Sequence, residues 1–372
     1  MARNHNVTVV TLRSERSIAD DYHFTVHRLL AIHVPFKNYF KHFWISSFFP
    51  SNYIELNRIA RQCRADVILL INHYLDIAFP AVFASKICGI PLVCSVGTEL
   101  QSDNPRRDKI LNFLDRLICG KLIFPFCNRI IAWDNQVLQY LKDVHGQKAT
   151  DKVVIINYGV NGDPDILMRH AHDYTLHNQI LGVGSIIKQR NFITLVLAFK
   201  EIADVFSDLR LKIIGHVYYD AAVQLARKLG LGHRIKFTGE LPHEEVLEEF
   251  KRSDLYFVSL TGKYLGLGTA TAESMLMGVP SIANVPPDLL GTAVLKDMEN
   301  IVYSSGISAL ELGSKIRLLL SNQALRQRIG QKGRQFIIEN MNWDKVAREM
   351  ENLFLSLAAA KKANDSRPGT IS

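Results

Sequence analysis

The chain alternates short β-branched runs with helical stretches, and it does so twice. Val7–Leu12 (VTVVTL), Val67–Ile71 (VILLI), Pro91–Val96 (PLVCSV), Arg129–Trp133 (RIIAW) and Lys152–Ile156 (KVVII) read as buried strands. Phe79–Ile87 has helical character and stops at Gly89, ahead of Pro91. The segment Asn157–Asp165 (NYGVNGDPD) is turn-rich and interrupts the series. Strands then resume at Gln179–Gly184, Leu211–Gly215, Ile235–Thr238, Leu255–Ser259 and Val279–Ala283. Helices are expected at Asn191–Val205, Ala221–Leu229, His243–Lys251 and Thr269–Met277. Apolar strands separated by helices demand a parallel sheet covered on both faces. The expectation is therefore an α/β protein of two doubly wound, Rossmann-like domains facing a cleft. The first domain spans 1–160 and the second 161–340. An amphipathic helix over Asn340–Leu357 accounts for 341–358, and the polar tail 359–372 is expected to be disordered.

Charge and cysteine content narrow the function. The formal net charge of +8 is spread over both halves rather than gathered into a stripe or tail, which argues against nucleic acid as the partner. An even excess suits anionic ligands or an anionic lipid surface, and also plain solubility. The five cysteines all lie in the first half, none in CxxC spacing, so neither a disulfide framework nor a metal site is expected. Met1–Asn6 is polar and leads directly into a strand, unlike a secretory leader. No run of eighteen apolar residues occurs; Lys121 and Arg129 interrupt the longest candidate. A cytoplasmic location is expected.

In open α/β sheets, ligands bind beyond the carboxyl ends of the strands. Gly266-Leu267-Gly268-Thr269 lies between an expected strand and an expected helix, where free N–H groups could meet a phosphate. The same sequence would also serve as a simple turn and helix entry. Glu273, one turn further on, could accept both hydroxyls of a ribose, or could be a carboxylate placed by the helix dipole. Lys188 and Arg190 follow the strand ending at Gly184, where cations could neutralise a pyrophosphate or simply line a solvated loop.

The order of these pieces resembles a known family. The segments VGSIIKQRNFITLVLAF, LKIIG, RIKFTGELPHEEVLEEFKRSDLYFVSL, GLGTATAESMLMGVPSIA and MNWDKVAREM resemble the retaining GT-B glycosyltransferases of the GT4-like superfamily, over about Gln179–Met350. AESMLMGVPSIA looks like that family's EAM-x-x-G-x-P-V-I-A element. A weaker likeness in the first half covers RADVILLINH, CGIPLVCSVGTEL and NRIIAWDNQVLQYL through VVIINYGV. The resemblance implies sugar transfer from a UDP- or GDP-sugar to a glycan or lipid-linked acceptor, with retention at the anomeric carbon. It implies no cofactor and no obligatory metal, and a place in polysaccharide biosynthesis. Glu273 matches the family's ribose-binding Glu, and Arg190 the basic residue of its pyrophosphate pair. Gly266, Gly268 and Thr269 match its phosphate loop, Leu241 and Pro242 the region facing the base, and Trp343 the start of its last helix.

The sequence also departs from that pattern. Leu265 stands where the family has a second Glu, and Ser185 where an Arg is common. SVGTEL offers Val96 or Gly97 in place of a His, so the catalytic residue is unassigned, with Glu99 and His73 as candidates on position alone. The opening MARNHNVTVVT looks like the family's second strand, as though a first strand and helix were missing, and a truncated start is expected. His27–Phe49 joins cations to seven aromatics without an acid, which suits either peripheral contact with the inner face of a membrane or a core helix and loop. Rival readings are a UDP-sugar epimerase on the same fold and a non-catalytic GT-B-like subunit. No G-x-G-x-x-G follows the first strand, which disfavours a dehydrogenase.

Overall fold

The structure is a computed structural model and describes residues 4–13, 24–34, 43–74, 76–100, 104–160 and 172–365. The chain forms two compact units. One comprises Met1–Trp133, Val137–Ile156 and Ala347–Ser372; the other comprises Asp134–Gln136 and Asn157–Val346.

The first unit holds strands β1 (Thr8–Leu12), β2 (Thr25–Leu29), β3 (Ile32–Val34) and β4 (Phe43–Ile45), then helix α1 (Pro50–Gln62). Strand β5 (Ile68–Ile71), helix α2 (Ala78–Cys88), β6 (Leu92–Val96) and α3 (Pro105–Ile118) follow. Strand β7 (Arg129–Ala132), α4 (Asn135–His145) and β8 (Val153–Ile155) complete the series. Strands β5-β6-β7-β8 form a parallel sheet in chain order, while β1 and β2 pair in parallel as a separate sheet. The five residues of β6 are all buried, as a central strand covered on both faces requires.

The stretch 27–49 departs from expectation. It contains no helix among its described residues: β2 runs beside β1, and β3 pairs antiparallel with β4. Pro50 closes this stretch and opens α1. At the first helical position a proline forfeits no hydrogen bond, and its fixed φ suits the helix. Residues 35–42 lie outside the described residues. The rings of His33 and Trp44 approach to 5.0 Å, and Phe48 is exposed.

The second unit contains β9 (Gln179–Val183), α5 (Phe192–Ala203), β10 (Arg210–Ile214), α6 (Ala221–Lys228) and β11 (Ile235–Phe237). Helix α7 (His243–Lys251), β12 (Leu255–Val258), α8 (Thr269–Leu276), β13 (Ser281–Ala283) and β14 (Val302–Tyr303) continue it. Helices α9 (Ala309–Leu320) and α10 (Gln323–Asn340) follow, and the last helix, α11 (Trp343–Asp365), starts in this unit and belongs to the first unit from Ala347 onward. The six strands are parallel in the order β11-β10-β9-β12-β13-β14. Strand order therefore reverses at β9, which makes its carboxyl end the switch point of the sheet. Two apolar layers cover the faces. Phe199, Ile202, Leu312 and Ile316 pack against Ile180, Ile213 and Phe257 on one side. Phe250, Met275, Leu276 and Ile337 pack against Leu181, Tyr256 and Val258 on the other.

The last helix starts at Trp343 rather than Asn340 and extends to Asp365, well into the stretch expected to be a disordered tail. Residues 366–372 lie outside the described residues. Among the described residues no helix is long and apolar enough to cross a membrane.

Candidate donor site

A glycine ends each of the first three strands of the second unit: Gly184 after β9, Gly215 after β10 and Gly239 after β11. At Gly215, φ is +147°, and a Cβ there would lie 2.2 Å from the Gly184 carbonyl oxygen. No other residue allows the two strand ends to approach so closely. These ends form the floor of the candidate site.

The basic loop after β9 is tied down beside β12. Asn191 donates its backbone N–H to the Ser259 carbonyl at 3.0 Å, and Thr261 donates to the Gln189 carbonyl at 2.7 Å. The Arg190 guanidinium lies flat against Gly184, where a Cβ would come within 2.5 Å of Cζ, and donates to the Val183 carbonyl at 3.4 Å. Arg190 and exposed Lys188 line one open cavity of about 230 Å³, with Ile187, Asn191, Tyr219 and Thr261.

Helix α8 begins at the carboxyl end of β12. Its N-cap is Gly268, with φ +76°, and no side chain caps the helix. Gly268 and Thr269 are exposed. The first N–H groups of the helix thus point outward with the positive end of its dipole behind them, a ready anion site.

Glu273 sits one turn into α8 with its side chain 19% exposed. Its Oε1 lies 3.1 Å from the His243 Nε2. His243 opens α7 directly after Leu241 and Pro242. The contact therefore joins two segments that leave the sheet at β11 and β12, spanning the ends of β10 and β9 between them. Sequence reasoning found Glu273, Leu241 and Pro242 but not His243. Its only sequence signal is adjacency to Pro242, because the pair is thirty residues apart and neither periodicity nor spacing links them.

The two catalytic candidates lie in the first unit and differ sharply. Glu99 is half-buried beyond the end of β6. Burial first, and the Glu99 charge second, raise the pKa of the neighbouring Tyr74 hydroxyl. His73 does not fit a catalytic role: it is fully buried, with Nε2 3.2 Å from the Tyr140 hydroxyl and 3.4 Å from Asp115 Oδ1. A ring without exposed surface cannot exchange a proton with a bound acceptor. It belongs instead to a buried polar cluster. Asp115 accepts from the Tyr140 hydroxyl and lies 2.9 Å from His145 Nε2. Burial works against ionisation of Asp115, but hydrogen bonds from His145 and His73 outweigh it and hold the carboxyl well below the usual range. His73, Asp115 and Cys119 have ligand atoms within 4.8 Å of one another, a spacing a metal ion could bridge. The groups are already engaged, since the Cys119 thiol donates to the His73 carbonyl at 3.5 Å.

Comparison with known proteins bears on both halves. Residues 1–164 match the model of Glycosyltransferase Family 4, and residues 167–336 that of Glycosyl transferases group 1. An uncharacterized glycosyltransferase of Methanocaldococcus jannaschii is 27% identical over 261 residues, covering 67% of this chain and 63% of that protein. The chain thus spans about three fifths of that curated relative's length. The sucrose-phosphate synthase of Thermosynechococcus elongatus superposes with a TM-score of 0.71 at 18% identity, over 96% of this chain and 90% of that one. HepE of Anabaena, solved in complex with UDP-glucose, gives 0.66 at 13% identity over 94% and 99%. At such identities the likeness is one of fold. Each half of the chain therefore matches a glycosyltransferase family model, and the chain shares the GT-B fold of these solved structures.

Proposed function

We propose that the protein transfers a sugar from a UDP- or GDP-sugar to a glycan or lipid-linked acceptor, with retention of anomeric configuration. The observation that carries the donor assignment is the convergence at the strand ends of the second unit: an uncapped helix start, a carboxylate one turn into it, and two cations in the loop after β9. The N–H groups at Gly268 and Thr269, beside Gly266, take the diphosphate. Arg190 and Lys188 neutralise it. Glu273 receives the ribose hydroxyls, and Leu241 with Pro242 faces the base. The UDP-glucose complex of HepE, a protein of the same fold, supports a nucleotide-sugar as donor.

In this reading the chain works by positioning and electrostatics. As the donor bond breaks, charge grows on the leaving diphosphate, and the α8 dipole with Arg190 stabilises that charge more than it stabilises the intact donor. A bound cation is not needed for this, so the reaction proceeds without metal and without a cofactor. Glu99, half-buried beyond β6, is the remaining candidate to engage the acceptor hydroxyl. The protein acts in the cytoplasm or on the inner face of the membrane.

The test is calorimetric titration of UDP, GDP and ADP and their sugar conjugates into the protein and into Glu273→Ala. Binding of one nucleotide, weakened tenfold or more in the variant, is the expected result. Absence of binding to all three would overturn the donor assignment.

A further inference from the structure

Helix α3 of the first unit is built inside out. An amphipathic helix of a globular unit normally turns its apolar stripe to the core and its polar face to water. In α3 the buried residue is a carboxylate: Asp115, 2% exposed, is anchored by Tyr140 and His145. The apolar residues point outward. Ile110 is 60% exposed and Phe113 64%, with Leu114 and Leu117 beside them, a spacing of i, i+3, i+4 and i+7 that lays one continuous stripe along the helix. Leu122, in the π-helical turn that continues α3, is 50% exposed and extends it.

The charge on this surface is one-sided. Arg106, Arg107, Lys109, Arg116 and Lys121 are exposed, whereas Asp108 is half-buried and Asp115 is buried. No described residue from 104 to 129 presents an exposed acid. An outward apolar stripe bordered only by cations is the pattern of a helix lying in a lipid–water interface. The apolar core of a protein interface is depleted in charged residues, and nucleic acid offers no partner for an Ile-Phe-Leu stripe. With fourteen residues the helix is about 21 Å long, too short to span a bilayer but long enough to lie along one.

We propose that α3 docks the first unit on membranes carrying anionic headgroups, its apolar stripe at the acyl boundary and its five cations against lipid phosphates. The Asp115 cluster then has a structural purpose, because it fixes the helix to the unit by its polar side and leaves the apolar side for lipid. This surface is distinct from the aromatic stretch 27–49, and it does not depend on which sugar or acceptor the protein uses.

The experiment is co-sedimentation of the full chain with vesicles of phosphatidylcholine alone and of an equal mixture of phosphatidylcholine and anionic phosphatidylglycerol, which gives the surface a negative potential. The expected result is binding to the anionic vesicles, weakened by salt. Phe113→Glu with Leu117→Glu should lower binding more than about tenfold while circular dichroism and nucleotide titration stay unchanged, since both side chains are exposed. Arg106→Glu with Arg107→Glu should lower it by about tenfold or more and flatten the salt dependence. Equal binding of the Phe113 and Leu117 variant and its parent would overturn the proposal. So would equal binding to neutral and anionic vesicles. Sedimentation velocity without lipid provides the remaining arm: a dimer that this variant dissociates would assign the stripe to a second copy of the chain, and overturn the lipid reading.

Discussion

Asp115→Asn isolates the electrostatic core of the first unit. The carboxylate accepts from the Tyr140 hydroxyl, faces His145 Nε2 at 2.9 Å and His73 Nε2 at 3.4 Å, and is buried. Asparagine keeps the shape and can still accept from Tyr140 through one oxygen, but it loses the charge and places an N–H₂ beside His73 Nε2 where the carboxylate had its second oxygen. Hydrogen bonds to a charged group contribute about 1.5–3 kcal/mol each, and removing one partner of a buried charged network costs about 3–5 kcal/mol. The variant should therefore lose about 3 kcal/mol, a large share of the 5–15 kcal/mol that typically holds a domain together. Urea unfolding at pH 7, followed by tryptophan fluorescence, reads this out, because Trp44 and Trp133 both lie in the first unit. The pH dependence adds a second check. The folded carboxyl titrates below its ordinary value of 3.8, so its contribution is complete above about pH 4 and is lost as pH falls through that range toward the folded value. The gap between parent and variant should hold from pH 7 to pH 4 and narrow below it. A gap under about 1 kcal/mol at pH 7, or one that widens on acidification, would refute the network as a source of stability.

Three further outcomes are expected. Glu273→Ala should weaken the preferred nucleotide tenfold or more with little change in melting temperature, since its side chain is partly exposed; calorimetry measures the first and scanning fluorimetry the second. Gly215→Ala places a Cβ 2.2 Å from the Gly184 carbonyl at a φ of +147°, so the second unit should lose about 2 kcal/mol or more, and nucleotide affinity should fall with it because Gly184 backs Arg190; urea unfolding and the same titration test both. Chelation with EDTA should leave the initial rate of sugar transfer within about twofold, whereas a tenfold loss restored by a divalent cation would contradict a reaction that rests on Arg190 and the helix dipole.

The sequence made the β-rich skeleton legible where strands are buried on both faces. KVVII, QILGVG, LKIIG, IKFT and LYFVS all fall on observed strands to within a residue or two at each end. Continuous apolar runs carry that information because both faces of such strands must be covered. Thr25–Leu29 was missed because TVHRL mixes a cation and a histidine into a strand in which only Leu29 is buried. The tail helix was missed because its residues beyond 358 are small or charged and carry no apolar stripe. Helix α3 was not anticipated, and its pattern inverts the usual one, because the structure buries its acid and exposes its apolar residues. The polar clusters were beyond sequence reasoning altogether. Asp115, Tyr140 and His145 meet across 25 and 30 residues, and His243 meets Glu273 across 30. Only the path of the sheet makes them neighbours.

The His243–Glu273 contact gives the second unit a placeholder. A glutamate side chain free in water samples many rotamers, and fixing it on ligand arrival costs roughly 1.5–2 kcal/mol. Here the imidazole holds the carboxylate in place beforehand, so much of that ordering is complete before any diol arrives. On the donor reading proposed above, the imidazole engages Oε1, so a first hydroxyl can use Oε2 and a second, vicinal one competes with His243 for Oε1.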